Sequence, residues 1–339
     1  MSDRYSRQTL FAPIGEKGQQ RIAEKHVLII GAGALGTGNA EALVRAGVGK
    51  VTIVDRDYVE WSNLQRQQLY SEEDAKNRMP KAIAAKERLQ KINSEVEIGA
   101  YILDATPLEL ERFTTGVDLI LDATDNFDTR MMINDISQKY EIPWIYGACV
   151  GSYGISYTII PGETPCLHCL LESVPLGGLT CDTAGIISPA VGMVVAYQTA
   201  EALKILVEDW GAIRKKLISF DLWTNQQTAI NVSKIKKESC SSCGVEATYP
   251  FLSFENQTKT AVLCGRESVQ IRPAHVQKRD LQMIAETLSG KGGKVEQNPY
   301  LLSFTIDEQR LVMFQDGRVL VHGTKDITEA KTLYHRYFG

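Results

Sequence analysis

The residues most suggestive of chemistry begin in a single glycine turn. Gly31-Ala32-Gly33-Ala34-Leu35-Gly36 follows the apolar run His26–Ile30 and precedes a helical pattern and a second apolar run, Lys50–Asp55. Glycines let the backbone approach phosphates closely, and a helix N-terminus offers free N–H groups. Asp55, 24 residues after Gly31, is placed to accept from ribose hydroxyls. This is nucleotide chemistry, open at this point to NAD, FAD or ATP. Downstream stand Asn63 and Arg66 in Asn63-Leu64-Gln65-Arg66-Gln67, then Lys81, then Asp122-Ala123-Thr124-Asp125-Asn126. A dehydrogenase has no need of the Asn-Leu-Gln-Arg-Gln run. A guanidinium binds phosphate as a planar fork and a lysine binds it as a point charge. Taken singly, Arg66 and Lys81 read first as solvated surface charges, and only their company with the glycine loop raises them.

A second centre is written in cysteine. Cys166-x-x-Cys169 and Cys240-x-x-Cys243 have the local spacing of tetrahedral thiolate zinc ligands. Seventy residues lie between the pairs, so a shared ion would clip distant segments together. Two unrelated pairs of buried or redox thiols are the alternative. His168 is a competing ligand, although four cysteines already complete a closed site. Cys181 lies in the glycine-rich stretch 177–185, and Cys149 at a strand end reads as packing.

These residues need a scaffold, and the apolar pattern supplies one. The buried run His26–Ile30, a helix over roughly 37–46 and the run Lys50–Asp55 form a strand–helix–strand unit with a right-handed parallel crossover. Alternation continues with a helix over 80–93, strands over 96–103, 118–122 and 144–147, and a helix ending near Tyr140. Lys81 then opens a helix, and Asp122–Asn126 follows the end of a strand, where ligands bind in open parallel sheets. From Gly151 the pattern changes: 153–160 alternates before a Pro/Gly turn, which suggests antiparallel pairing. Ser188-Pro189 reads as a cap followed by a first-turn proline opening a long helix. The tail shows short strands at 261–264, 268–272, 301–306, 311–315 and 319–322, with Asp316-Gly317 as a hairpin turn and helices near 280–288 and 326–337. The expected fold is therefore α/β: a Rossmann-like, mostly parallel mixed sheet with flanking helices and a thiolate clip over residues 1–247, plus a small α+β accessory domain over 248–339.

Composition narrows the classes. The chain has 339 residues, 44% apolar and 23% charged, with 37 Lys+Arg against 41 Asp+Glu and a net charge of −4. That balance argues against a dedicated nucleic-acid binder. The polar N-terminus carries no signal-peptide core. The apolar stretch 186–207 is interrupted by Pro189, Gln198, Glu201 and Lys204, so it reads as a buried helix and not a membrane span. A cytoplasmic protein is expected, and its seven cysteines point to metal before disulfides.

Taken jointly, Arg4-Tyr5-Ser6-Arg7-Gln8, the Gly31–Gly36 loop, Ser62–Gln67, Pro80-Lys81, Asp122–Asn126 and both cysteine pairs resemble the MoeB/ThiF family, relatives of the ubiquitin-activating enzymes. The match spans about residues 4–244. Ala34 stands where many members carry a further glycine. The resemblance implies an adenylyltransferase that uses ATP and Mg²⁺ to activate the C-terminal Gly-Gly carboxylate of a ubiquitin-like sulfur-carrier protein, for thiamine thiazole or molybdopterin synthesis. It implies that Gly31, Gly33 and Gly36 cradle the nucleotide and that Asp55 holds the ribose. It places Asn63, Arg66 and Lys81 on the phosphates, Asp125 on Mg²⁺, and Arg7 in the site of the neighbouring subunit of a homodimer. Cys166, Cys169, Cys240 and Cys243 would bind Zn²⁺, and Cys181 would be a sulfur-transfer thiol or a structural loop residue. A sulfur donor protein is a further expected partner. Two other readings compete: an NAD(P)-dependent oxidoreductase on the same glycine fingerprint, and a non-catalytic carrier-binding scaffold. Cys264-Gly265-Arg266 suggests a rhodanese loop, but it comes too early in too short a tail.

Overall fold

A computed structural model describes residues 3–172, 184–253, 260–262, 268–272 and 278–338. The chain divides into two compact units, Met1–Asn256 and Gln257–Gly339. In the first, β1 (His26–Ile30), β2 (Lys50–Asp55), β3 (Glu97–Ile102) and β4 (Leu119–Asp122) are parallel to one another and to β5 (Trp144–Val150). The sheet then turns antiparallel through β6 (Tyr153–Ile159), β7 (Lys216–Asp221) and β8 (Gln226–Asn231). Strand order is β3-β2-β1-β4-β5-β6-β7-β8. The sequence reading missed β7 and β8; every residue of β8 is exposed, so it carries no buried alternation to find.

Period-two alternation sorts the parallel strands into two layers. Val27, Ile29, Val51, Ile53, Leu119 and Leu121 face one core, closed by the helices Ala34–Ala46, Lys81–Ile92 and Ser188–Leu206. Leu28, Ile30, Val54 and Ile120 face the other, with Trp144, Tyr146 and Tyr157 and the Phe127–Tyr140 helix. Burial on both faces is why these strands read as continuous apolar runs.

The chain runs outward from β1 to β3, then returns to place β4 on the other side of β1. Such a reversal opens a crevice at the carboxyl ends of the two strands, the usual ligand position in open α/β sheets. Gln198, fully buried on the Ser188–Leu206 helix, braces the same place. Its Nε2 donates to the carbonyls of Asp122 (2.9 Å) and Ile145 (3.2 Å), and its Oε1 accepts from Asn39 (2.8 Å). The helix starts at Ser188 itself, with Ile187 in the cap position and no side-chain cap bond, so the expected serine cap is corrected.

The second unit is a six-stranded antiparallel sheet, order β11-β12-β13-β14-β10-β9, built from Thr260–Val262 (β9), Ser268–Ile271 (β10), Lys294–Gln297 (β11), Leu301–Ile306 (β12), Gln309–Phe314 (β13) and Val319–His322 (β14). Helices Leu281–Ser289 and Ile327–Phe338 cover the face that carries Val269, Leu302, Phe304, Leu311, Met313 and Val321. The Asp316-Gly317 turn joins β13 to β14, with Gly317 at φ +86°. β11 went unread because its short segment is mostly polar. No helix among the described residues is long and apolar enough to cross a membrane.

Candidate active site

The glycine loop spans the crevice between β1 and β4. Gly31 donates to the Val54 carbonyl (2.8 Å) and has φ +97°. A Cβ there would lie 2.5 Å from the Ala123 carbonyl oxygen, so the strand ends close tightly only around glycine. At Gly36 a Cβ would sit 2.0 Å from the Gly31 carbonyl oxygen, which seats the helix directly on the loop. Gly33 differs: the nearest atom to a Cβ there is Gln67 Nε2, at 4.0 Å. Its outer face is open, at the point where the Ala34–Ala46 helix begins with unsatisfied amides.

Carboxylates and cations collect around this loop. Asp55, at the end of β2, accepts from the N–H of Ala32 (2.6 Å) through Oδ2 and from that of Asp57 (2.7 Å) through Oδ1. Burial raises its pKa, the Lys81 ammonium opposing. Lys81 is the first residue of its helix, buried, with Nζ 3.7 Å from Asp57 Oδ2. Tyr70 clamps the two elements: its hydroxyl lies 2.6 Å from the Ala32 carbonyl oxygen and 3.2 Å from that of Lys81. Asn63 is buried, and its Oδ1 accepts from the Glu60 N–H (3.0 Å), which fixes the turn that follows β2. Asp125 is exposed beyond β4, beside Asn126, whose Oδ1 caps the Phe127–Tyr140 helix by accepting from Thr129 (2.9 Å).

The loop before that helix is held from below. Buried Asp122 accepts from the Thr124 N–H (2.9 Å) and hydroxyl (2.7 Å) through Oδ1 and from Arg130 Nε (3.1 Å) through Oδ2. Arg130 also donates to the Thr124 carbonyl (2.6 Å). Burial raises the Asp122 carboxyl and Arg130 counters it. Asp122 therefore orients the loop from the interior, and Asp125 faces outward.

The four expected cysteines do converge. Their sulfurs lie within 4.8 Å of one another, with Cys166–Cys240 at 3.7 Å and Cys169–Cys243 at 3.6 Å. A zinc–thiolate tetrahedron with bonds of about 2.3 Å has sulfur–sulfur edges of about 3.8 Å, so the cluster fits that ion. Burial pushes Cys169 up to about 12, while the hydrogen bond from Cys166 draws Cys243 down to about 5. His168 is turned aside: its Nδ1 lies 3.2 Å from Ser242 Oγ and 3.9 Å from Cys240 Sγ.

Residues 5–243 match the model of the ThiF family. The chain belongs to the ThiF family. Over all 339 residues it is 53% identical to the sulfur carrier protein ThiS adenylyltransferase of Bacillus subtilis, covering the whole of both chains. It is 35% identical to the sulfur carrier protein adenylyltransferase of Thermus thermophilus over 73% of this chain and 92% of that one. Against the molybdopterin-synthase adenylyltransferase of Escherichia coli it is 33% identical, over 71% and 96%. Among solved structures, E. coli MccB with ATP superposes with a TM-score of 0.61 at 22% identity, over 72% of this chain and 75% of that one, a likeness of fold.

Within this ThiF-family fold, Gly31, Gly33, Gly36, Asp55, Asn63, Lys81 and Asp125 all sit at or just beyond the carboxyl ends of β1, β2 and β4. Arg66 lies on the same turn as Asn63, half-buried, its Nη1 donating to the Ser62 carbonyl (2.9 Å). Arg7 is not brought there. It is exposed, and its neighbour Gln8 bonds the Ala46 carbonyl (2.9 Å), at the far end of the helix that starts at Gly33. Thirteen residues at 1.5 Å each put about 20 Å between those ends. Cys181 and Cys264 lie outside the described residues. Cys149 packs among Leu35, Ala123 and Val191, as expected.

Sequence reasoning missed three contributors. Gln67 is 4% exposed, its Oε1 has no hydrogen-bond partner, and its amide faces Gly33. Its signal was its place at the end of the Asn63–Gln67 run. Arg56 pairs with Asp104 (3.3 Å); burial opposes its charge, and Asp104, then Asp57, Asp125 and Asp55, more than restore it. Arg130, eight residues after its partner Asp122, carried no readable signal.

Proposed function

We propose that this protein is an ATP-dependent adenylyltransferase that joins the C-terminal carboxylate of a ThiS-type sulfur-carrier protein to AMP, releasing pyrophosphate. One observation carries the choice of carrier: the B. subtilis relative named for ThiS matches at 53% from end to end, whereas the molybdopterin-synthase relative matches 71% of this chain at 33%. A molybdopterin-type carrier is the second reading, favoured by that same shared portion.

The chemistry needs alignment and charge neutralisation. A carboxylate is ionised near neutral pH and needs no general base, but it must approach an α-phosphate that is itself anionic. The open face of Gly33 and the free amides of the helix start receive the phosphates, and Asp55 takes the ribose. Asn63, Arg66 and buried Lys81 contact the triphosphate, and Gln67 Nε2, the atom nearest the open face of Gly33, offers a donor on the same side. Asp125, an exposed carboxylate at a strand end, suits Mg²⁺, which is usually held by one or two carboxylates plus substrate phosphates. When bound, that ion supplies further neutralisation of the triphosphate. Arg7, whose neighbour Gln8 bonds the far end of the helix about 20 Å long that leaves the glycine loop, acts in the partner's site of a homodimer. The four cysteines hold a structural Zn²⁺. Cys181 is the candidate sulfur-transfer thiol, with a sulfur donor protein as co-partner, and the setting is cytoplasmic.

The deciding measurement is ATP–pyrophosphate exchange with each purified carrier in turn. Exchange that depends on a ThiS-type carrier is the expected result. Exchange with a molybdopterin-type carrier alone selects the second reading, and exchange with neither overturns both.

A further inference from the structure

The Phe127–Tyr140 helix touches both centres. At its start, Arg130 holds the Asp122–Asp125 loop through Asp122 Oδ2 (3.1 Å) and the Thr124 carbonyl (2.6 Å). One turn later stand two fully buried polar residues, Asn134 and Asp135. Asn134 Oδ1 accepts from the N–H of Leu167 (2.8 Å), the residue directly after Cys166. Asp135 bonds Ser242, between Cys240 and Cys243, and its Oδ2 accepts from the Phe251 N–H (2.9 Å). Asn134 Nδ2 also donates to Asp135 Oδ1 (3.2 Å). Neighbouring side chains of one helix thus grip the two halves of the cysteine cluster separately.

Buried polar groups are costly unless satisfied, and these are fully satisfied only while both cysteine segments stay in place. An α-helix transmits a displacement of one turn to the next, and Arg130 lies one turn from Asn134. We propose that Asn134 and Asp135 are positioning residues that tie the thiolate cluster to the Asp122–Asp125 loop, so that metal in the cluster fixes the placement of Asp125. The assignment rests on the adenylation reading for its consequence, the Mg²⁺ requirement, and on geometry alone for the tie.

Amide hydrogen exchange on the full-length protein tests the tie without reference to activity. Stripping zinc with a chelator should raise exchange about tenfold in peptides covering 122–131 as well as in those around the cysteines, while β1 and β2 stay protected. Exchange confined to the cysteine segments overturns the proposal. If stripping opens the whole unit, zinc-loaded Asp135→Asn and Asn134→Ala decide. Each should raise exchange over 122–131 and weaken the apparent Mg²⁺ affinity in pyrophosphate exchange about tenfold, with AMP binding unchanged. Mg²⁺ and AMP affinities falling together, or neither moving, overturns it. A wild-type protein that exchanges no pyrophosphate removes the adenylation reading and leaves the hydrogen-exchange result to judge the tie.

Discussion

The backbone N–H of Ala32 donates to Asp55 Oδ2 at 2.6 Å, so the glycine loop and the end of β2 form one rigid unit before any ligand arrives. The other oxygen is engaged by Asp57 (2.7 Å). A carboxylate so held presents its remaining lone pairs in a fixed direction. Replacing Asp55 by Asn keeps the shape but removes the charge and leaves one acceptor oxygen, so its NH2 must face the N–H of Ala32 or Asp57. A charge-assisted hydrogen bond contributes about 1.5–3 kcal/mol. Asp55→Asn is therefore expected to weaken ATP binding by about tenfold to a hundredfold, read by calorimetric titration.

The three glycines of the loop separate fold from function. Gly33→Ala meets no atom closer than 4.0 Å, so its unfolding midpoint should match wild type. Its methyl group enters the space proposed for phosphates, and ATP affinity should fall. Gly36→Ala places a methyl group 2.0 Å from the Gly31 carbonyl oxygen and should destabilise the unit outright. Overpacking typically costs about 1–3 kcal/mol or more. Equal thermal midpoints for the two variants would contradict the loop geometry.

Arg130→Met should be pH-sensitive. The variant leaves Asp122 buried without its guanidinium, so its folded pKa, already raised by burial, rises further. A carboxylate with a raised folded pKa adds stability below its unfolded pKa of about 3.9, and that contribution is lost as pH rises through the folded value. The variant should therefore lose more stability relative to wild type at pH 8 than at pH 5. Breaking a buried pair costs about 3–5 kcal/mol at most. Urea denaturation at the two pH values checks the sign.

Arg7→Ala should unfold like wild type, because the side chain is exposed, yet lose carrier-dependent exchange. Mixing it with Asp125→Ala distinguishes action in the partner's site from action at home. Random pairing gives about half heterodimers, each with one intact site, so about a quarter of wild-type activity returns if Arg7 acts across the dimer. No recovery places it in its own site.

Cys240→Ser should lose bound zinc and melt at a lower temperature. Structural zinc binding is worth on the order of 10 kcal/mol in small zinc modules, and here the ion would clip segments 70 residues apart. Metal content by emission spectroscopy and calorimetry report the two effects separately. Unchanged zinc content would show that the four sulfurs are not its ligands.

Much of the fold was legible because its parallel strands are buried on both faces. His26–Ile30 and Lys50–Asp55 could be read as apolar runs for that reason, and the glycines between them marked the turn. Polar edge strands such as β8 and β11 leave no such trace. The residue types proposed to meet a nucleotide and a metal, from Asp55 and Lys81 to the four cysteines, were likewise legible in the sequence, since local spacing and side-chain chemistry suffice to nominate them. Which groups meet is another matter. That Gln67 turns its Nε2 to Gly33, that Arg130 packs beneath the Asp122 loop, and that Gln8 beside Arg7 bonds the far end of the helix leaving the glycine loop all depend on how the chain packs. Only the packed tertiary structure decides those, because they arise from burial and strand order, which no local pattern encodes.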